Sequence, residues 1–164
     1  MRVAFYPCCA RDIREPSLLL TGVVDEIIFC DIRSDLLAEW SRIAYALPSG
    51  TPKASFMAAN ALEAIQSIPK IDVLFYRRDS AGEGGSHLFV LGDQFLKRLA
   101  PKFPPEGGLI ITDGSNTRGS NFERMTRTSG MEKHSRCFGP AAVQQFEAYG
   151  LKTIMVSVRS PNVS

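Results

Sequence analysis

The chain has 164 residues, of which 45% are apolar and 22% charged, and 19 basic against 17 acidic side chains leave a formal charge of +2. That size and balance suit one domain spanning 1–164 with a full core, and so small a charge gives no electrostatic case for nucleic acid or an anionic membrane surface as partner. No apolar run approaches the roughly 20 residues of a membrane span, and Met1–Pro7 enters a strand pattern rather than a secretory leader, so a cytoplasmic protein with reduced thiols is expected.

In chain order, Val3–Tyr6 reads as the first strand, closed by Pro7. Glu15-Pro16-Ser17 ahead of Leu18-Leu19-Leu20 marks a helix with proline in its first turn, ending at Gly22. Glu26–Cys30 is a second strand, followed directly by Asp31. Leu36, Leu37, Trp40, Ile43, Ala44 and Leu47 then recur at helical spacing until Pro48–Pro52 breaks the chain. Ala54–Met57 is a short third strand and Ala61–Ile68 a short helix. Ile71–Tyr76 is a fourth strand, apolar except for Asp72. A polar, glycine-rich loop runs from Arg77 to Ser86, and His87–Ala100 is a helix stopped by the prolines of 101–105. Gly107-Gly108 leads into a fifth strand, Leu109–Thr112. The stretch 113–137 lacks periodicity, and a structureless loop of that length is uncommon unless functional or misread. Ala141–Tyr149 is a last helix and Leu151–Val158 a last strand.

Strands alternating with helices imply right-handed crossovers and parallel pairing. The expected fold is α/β: a three-layer Rossmann-like domain with a mostly parallel sheet of 5–7 strands and helices on both faces, the first five ordered 3-2-1-4-5. In such sheets the ligand sits among the loops at the carboxyl ends of the strands, where the strand order reverses. The unusual residues of this sequence fall on those loops: Pro7-Cys8-Cys9-Ala10-Arg11-Asp12, Asp31, Arg77–Ser86, and Asp113-Gly114-Ser115-Asn116. The opposite connections, 48–52 and 101–105, are mainly proline and glycine punctuation.

Each loop carries a chemical reading beside a plain one. A carboxylate directly after strand two, as Asp31 is, can accept hydrogen bonds from two adjacent ribose hydroxyls; aspartate is also an ordinary cap or turn residue. Gly82, Gly84 and Gly85 would let backbone approach a ligand ahead of a helix N-terminus, or merely turn the chain before Ser86 caps the helix. No GxxxxGK[ST] is present, and no GxGxxG follows strand one. Asp79, Asp113 and Asn116 end neighbouring strands, where acids can orient an amine, bind a metal or act as a general base, or simply form turns. Cys8, Cys9 and Cys30 lack the CxxC spacing of a zinc site and read better as small buried side chains. Residues 118–136 hold five basic and two acidic side chains: a lid over an anionic substrate, a nucleic-acid patch weakened by having Phe122 as its one aromatic, or a solvated basic loop. A small-molecule ligand is the expected partner, and nothing in the sequence specifies an oligomeric state.

Three runs carry a family resemblance over about residues 1–115: Phe5-Tyr6-Pro7-Cys8-Cys9, Ile28-Phe29-Cys30-Asp31, and Gly107-Gly108-Leu109-Ile110-Ile111-Thr112-Asp113. Together they resemble the Rossmann-like fold of S-adenosylmethionine-dependent methyltransferases, and small bacterial proteins of that type. The resemblance implies S-adenosylmethionine as cofactor, with Asp31 on the ribose. The segments holding Pro7, Cys8, Cys9 and Asp12, and Gly82, Gly84, Gly85 and Ser86, would frame the cofactor. Asp79, Asp113 or Asn116 would face the methyl acceptor. A non-catalytic nucleotide- or anion-binding module of the same fold is the alternative. The sequence departs from the family after strand one, where glycines are usual and Pro7-Cys8-Cys9-Ala10 stands instead.

Overall fold

The computed structural model of the chain describes residues 1–77, 91–114 and 140–156. At its centre runs β1 (Val3–Pro7), every residue of which is buried, as expected of a parallel strand covered on both faces. On one side lie β2 (Glu26–Asp31) and then β3 (Lys53–Ala58); on the other lie β4 (Val73–Tyr76), β5 (Gly108–Thr112) and β6 (Lys152–Val156). The predicted 3-2-1-4-5 order is the observed one. All these pairs are parallel except β5 with β6, which is antiparallel.

The connecting helices are α1 (Arg14–Leu19), α2 (Leu37–Tyr45, entered through a 3-10 turn at Ser34–Leu36), α3 (Ala61–Ser67), α4 (Asp93–Leu99) and α5 (Pro140–Ala148). They divide the core in two. Ala4, Tyr6, Phe29, Phe75 and Ile111 share one cluster with Leu19, Trp40 and Phe146. Phe5, Leu74, Tyr76 and Ile110 share the other with Ile65, Phe95 and Leu99. The period-two alternation of Phe5 and Tyr6, or Leu74 and Phe75, delivers successive large side chains to opposite layers. Helices therefore cover both faces, and the architecture is the expected Rossmann-like one.

Differences from the sequence reading are mostly at boundaries. The fourth strand begins at Val73 rather than Ile71, because Ile71 donates its N–H to the Lys102 carbonyl and Asp72 is taken up in edge contacts. The Asp72 carboxylate accepts from the Val3 N–H at 2.8 Å and from the Lys70 ammonium at 3.1 Å, closing the amino edge of the sheet. The helix before β5 begins at Asp93 rather than His87, because Gly92 is extended (φ −130°, ψ −171°) and Leu91 and Gly92 are not helical; residues 87–90 lie outside the described residues. Gly107-Gly108 has two separate causes. Gly107 takes φ +112°, and a Cβ on Gly108 would overlap the ring of Phe103.

Candidate functional site

The chain runs from β1 to β2 and β3 on one side, then crosses back to place β4 on the other side of β1. Strand order thus reverses between β1 and β4, where such sheets open a crevice at their carboxyl ends. Register fixes which residues meet there, since Pro7 pairs with Cys30 and Tyr76 with Thr112. The loops leaving these ends carry Cys8–Asp12, Asp31, Arg77 and Asp113.

The loop after β1 is built from conformations that favour glycine, yet contains none. Cys8 has φ +56° and Ala10 φ +46°, and a non-glycine residue in that region costs roughly 1–2 kcal/mol. The surroundings over-determine the shape. Cys9 N–H donates to the Cys30 carbonyl at 3.0 Å, and Asp12 N–H to the Cys9 carbonyl at 2.9 Å. Ala10 is held at both polar groups: its N–H donates to Asp31 Oδ2 at 3.0 Å, and its carbonyl accepts the Trp40 indole N–H at 2.6 Å. Asp31 completes its own turn by accepting the Arg33 N–H on Oδ1 at 3.1 Å. The loop therefore adopts left-handed backbone at Cys8 and Ala10 without glycine.

Beside this loop lies an ionic cluster centred on a buried arginine. Arg77 leaves β4 with its side chain 2% exposed and grips Asp12 as a fork, Nε to Oδ2 at 2.8 Å and Nη2 to Oδ1 at 3.0 Å. Its Nη1 reaches Glu15 Oε1 at 2.6 Å. The guanidinium lies 5.4 Å from the ring centroid of Phe75. The Tyr6 hydroxyl faces both Asp12 Oδ2 at 2.7 Å and the Arg77 carbonyl at 3.1 Å. Burial works against the Arg77 charge, but hydrogen bonding and attraction from Asp12, then Glu15, outweigh it and hold the guanidinium more firmly protonated than usual. Burial, then the Asp12 charge, pushes the Tyr6 phenol up, so it stays a donor.

The thiols are of a different character. Burial first, then the neighbouring Asp31 charge, raises Cys9 well above its ordinary range and Cys30 to about 12. Nucleophilic and metal-binding cysteines need the opposite shift. Among the described residues no group of three or more His, Cys, Asp or Glu side chains could hold a metal ion.

Of the predicted site residues, Pro7, Cys8, Cys9, Asp12, Asp31 and Asp113 come to this one edge. Asp79, Gly82, Gly84, Gly85, Ser86 and Asn116, with the basic stretch 118–136, lie outside the described residues. Asp12 and Asp31 are engaged by protein donors rather than standing open. The sequence reading did not single out Tyr6, Glu15, Trp40 or Arg77. A signal existed for one of them: a cation following the apolar run Val73–Tyr76 must find acids when buried, and Asp12 closes the adjacent strand's loop while Glu15 opens the helix after it. A cavity of about 350 Å3 opens beside the cluster, between α1 and α5, lined among others by Arg14, Glu15, Leu18 and Tyr149.

By sequence, no protein-family profile and no curated protein matches the chain. By structure, it superimposes on the plantazolicin methyltransferase BpumL in complex with SAH with a TM-score of 0.54 at 12% identity, over 96% of this chain and 76% of that one. An rRNA methylase from Streptococcus thermophilus gives 0.52 at 6% identity, over 96% and 87%. Precorrin 8W decarboxylase from Methanobacterium thermoautotrophicum gives 0.51 at 22% identity, over 80% of this chain, which spans 64% of that protein's length. Identities this low establish fold alone. At that level the resemblance to the Rossmann-like fold of adenosylmethionine-dependent methyltransferases holds.

Proposed function

We propose that the carboxyl-edge crevice binds an adenosyl ligand, S-adenosylmethionine, and that the chain is a small methyltransferase-like enzyme. The observation that carries this reading is Asp31. It ends β2 beside the left-handed loop, and each carboxylate oxygen accepts one amide N–H, which leaves each a further lone pair for a ribose hydroxyl. These residues fit the group.

In this reading Asp31 holds the ribose, and the 8–12 loop offers backbone at close range. The 79–86 segment, with Gly82, Gly84, Gly85 and Ser86, lies outside the described residues and is assigned to framing the cofactor from the sequence alone. Asp113, with Asp79 or Asn116, faces the acceptor. Adenosylmethionine supplies an electrophilic methyl group when bound. The chain's own task is then alignment, which can lower a barrier by several kcal/mol without an acid or base.

A thermal-shift panel tests it. A ligand at about 100 times its Kd adds about 2.7 kcal/mol of stability, a Tm rise of roughly 5–10 °C at this size. A rise with adenosylmethionine or adenosylhomocysteine is the expected result. No rise with either rejects the reading, and a rise with nucleotides or phosphate alone points instead to a non-catalytic binding module.

A further inference from the structure

We infer that Arg77 is a positioning residue for this site: its guanidinium holds the loop after β1 in ligand-ready shape and ties that loop to the root of the segment leaving β4. The inference deepens the proposed adenosyl-binding reading and rests on it for the identity of the ligand, though not for the clamp itself.

The clamp joins three pieces of chain that are distant in sequence. Arg77 directly follows β4, Asp12 closes the loop after β1, and Glu15 lies in the first turn of α1. Asp12 is the point through which the loop is gripped, because its own N–H returns to Cys9 between the two left-handed residues. Holding Asp12 in the Arg77 fork therefore adds to the Cys30, Asp31 and Trp40 contacts a restraint on where Cys8, Cys9 and Ala10 lie. Apolar packing of similar volume would stabilise this buried spot as well as an ion pair does, so the cluster is better understood as fixing geometry. A fork of two parallel N–H donors specifies direction where a single ammonium specifies only a point. The location agrees with that role, since the clamp spans the place where strand order reverses, between β1 and β4.

The protein carries its own reporter. Trp40 is the sole tryptophan, fully buried, and its indole N–H ends on the Ala10 carbonyl of the loop. Its emission and its quenching by acrylamide therefore follow the loop in the absence of any ligand. The test uses Arg77→Met and the milder Arg77→Lys. The control is Asp72→Asn, which removes a buried charge contact at the opposite edge of the sheet.

All three variants are expected to lower Tm. Only the Arg77 variants should red-shift Trp40 and raise its quenching constant at least twofold at temperatures where each remains folded, with Lys intermediate between wild type and Met. The same two variants should weaken adenosylhomocysteine binding by tenfold or more in calorimetry, and Asp72→Asn should leave it within twofold. Trp40 unchanged in Arg77→Lys, or changed equally in Asp72→Asn, would overturn the inference. Wild-type protein that binds no adenosylhomocysteine would refute the proposed function, while the emission comparison would still decide whether Arg77 sets the loop.

Discussion

The indole nitrogen of Trp40 donates to the carbonyl of Ala10 at 2.6 Å. The same ring stacks on Phe56 of β3 at 5.3 Å with an interplanar angle of 13°, so α2, β3 and the loop after β1 share one anchor. Trp40→Phe keeps an aromatic ring against Phe56 and removes the donor. The Ala10 carbonyl then lacks its partner, at a cost of about 1–3 kcal/mol. Urea titration should show a lower midpoint with an unchanged slope, as expected when stability changes and compactness does not.

Ala10 itself offers a cleaner measure of strain. Its φ of +46° disfavours any side chain by roughly 1–2 kcal/mol, and glycine at that position would remove this while adding about 0.5–1 kcal/mol of unfolded-chain entropy. Ala10→Gly should therefore be neutral to about 1 kcal/mol more stable. Ala10→Val, β-branched at a left-handed position, should lose about 2 kcal/mol or more. Paired thermal melts decide it, and a destabilised glycine variant would show that Ala10 carries no strain.

At the other end of the sheet, Gly108 opens β5 directly under Phe103. Gly108→Ala drives a methyl group into that ring, and overpacking of this kind costs about 1–3 kcal/mol. The double variant Gly108→Ala/Phe103→Leu makes room for the methyl and should recover part of the loss. Additive losses in the two melts would mean that the ring is not what excludes a side chain.

Strand order and layer structure were legible because the apolar runs are short, regularly punctuated and alternate with helical spacing. Gly107-Gly108 was legible as a strand entrance although its physical cause, the ring of Phe103, is tertiary. The loop after β1 was legible as a place but not as a shape. No glycine marks left-handed backbone there, and the contacts that hold the loop come from Asp31 and Trp40 on Ala10 and from Arg77 on Asp12, 21 to 65 residues away in the chain. The clamp was missed for the same reason. Asp12 and Glu15 at spacing i, i+3 look like ordinary loop and helix-start acids until β4 brings Arg77 beside them.

The buried thiols give a pH prediction. Cys30 releases its proton near its ordinary 9.0 when unfolded and near about 12 when folded. Between those values the unfolded chain binds fewer protons, so stability is fully present below pH 9 and falls as pH rises toward 12. The loss is at most about 4 kcal/mol, and Cys9 adds to it in the same direction. Cys30→Ser keeps a donor for the Ala59 carbonyl, which the thiol meets at 3.3 Å, and does not titrate in this range. Its urea midpoint should therefore decline less steeply between pH 9 and 11 than that of the wild type. At pH 8, alkylation mapped by tandem mass spectrometry should label half-buried Cys8 before Cys9 or Cys30.

Asp31 has two tasks in the proposed function, and they separate experimentally. As a loop anchor it accepts the Ala10 and Arg33 N–H groups, charge-assisted bonds worth about 1.5–3 kcal/mol each. Asp31→Ala should thus destabilise the ligand-free protein, and Asp31→Asn should lose less, because its amide oxygen still serves one of the two donors. As a ribose ligand the carboxylate should also discriminate adenosylhomocysteine from its 2′,3′-dideoxy analogue. A loop anchor alone would weaken both compounds equally on mutation. A residue that touches the ribose would weaken only the compound with hydroxyls, so the two losses in a double-mutant cycle would fail to add by about 1 kcal/mol or more. Strict additivity would remove Asp31 from the ligand and leave it holding the loop.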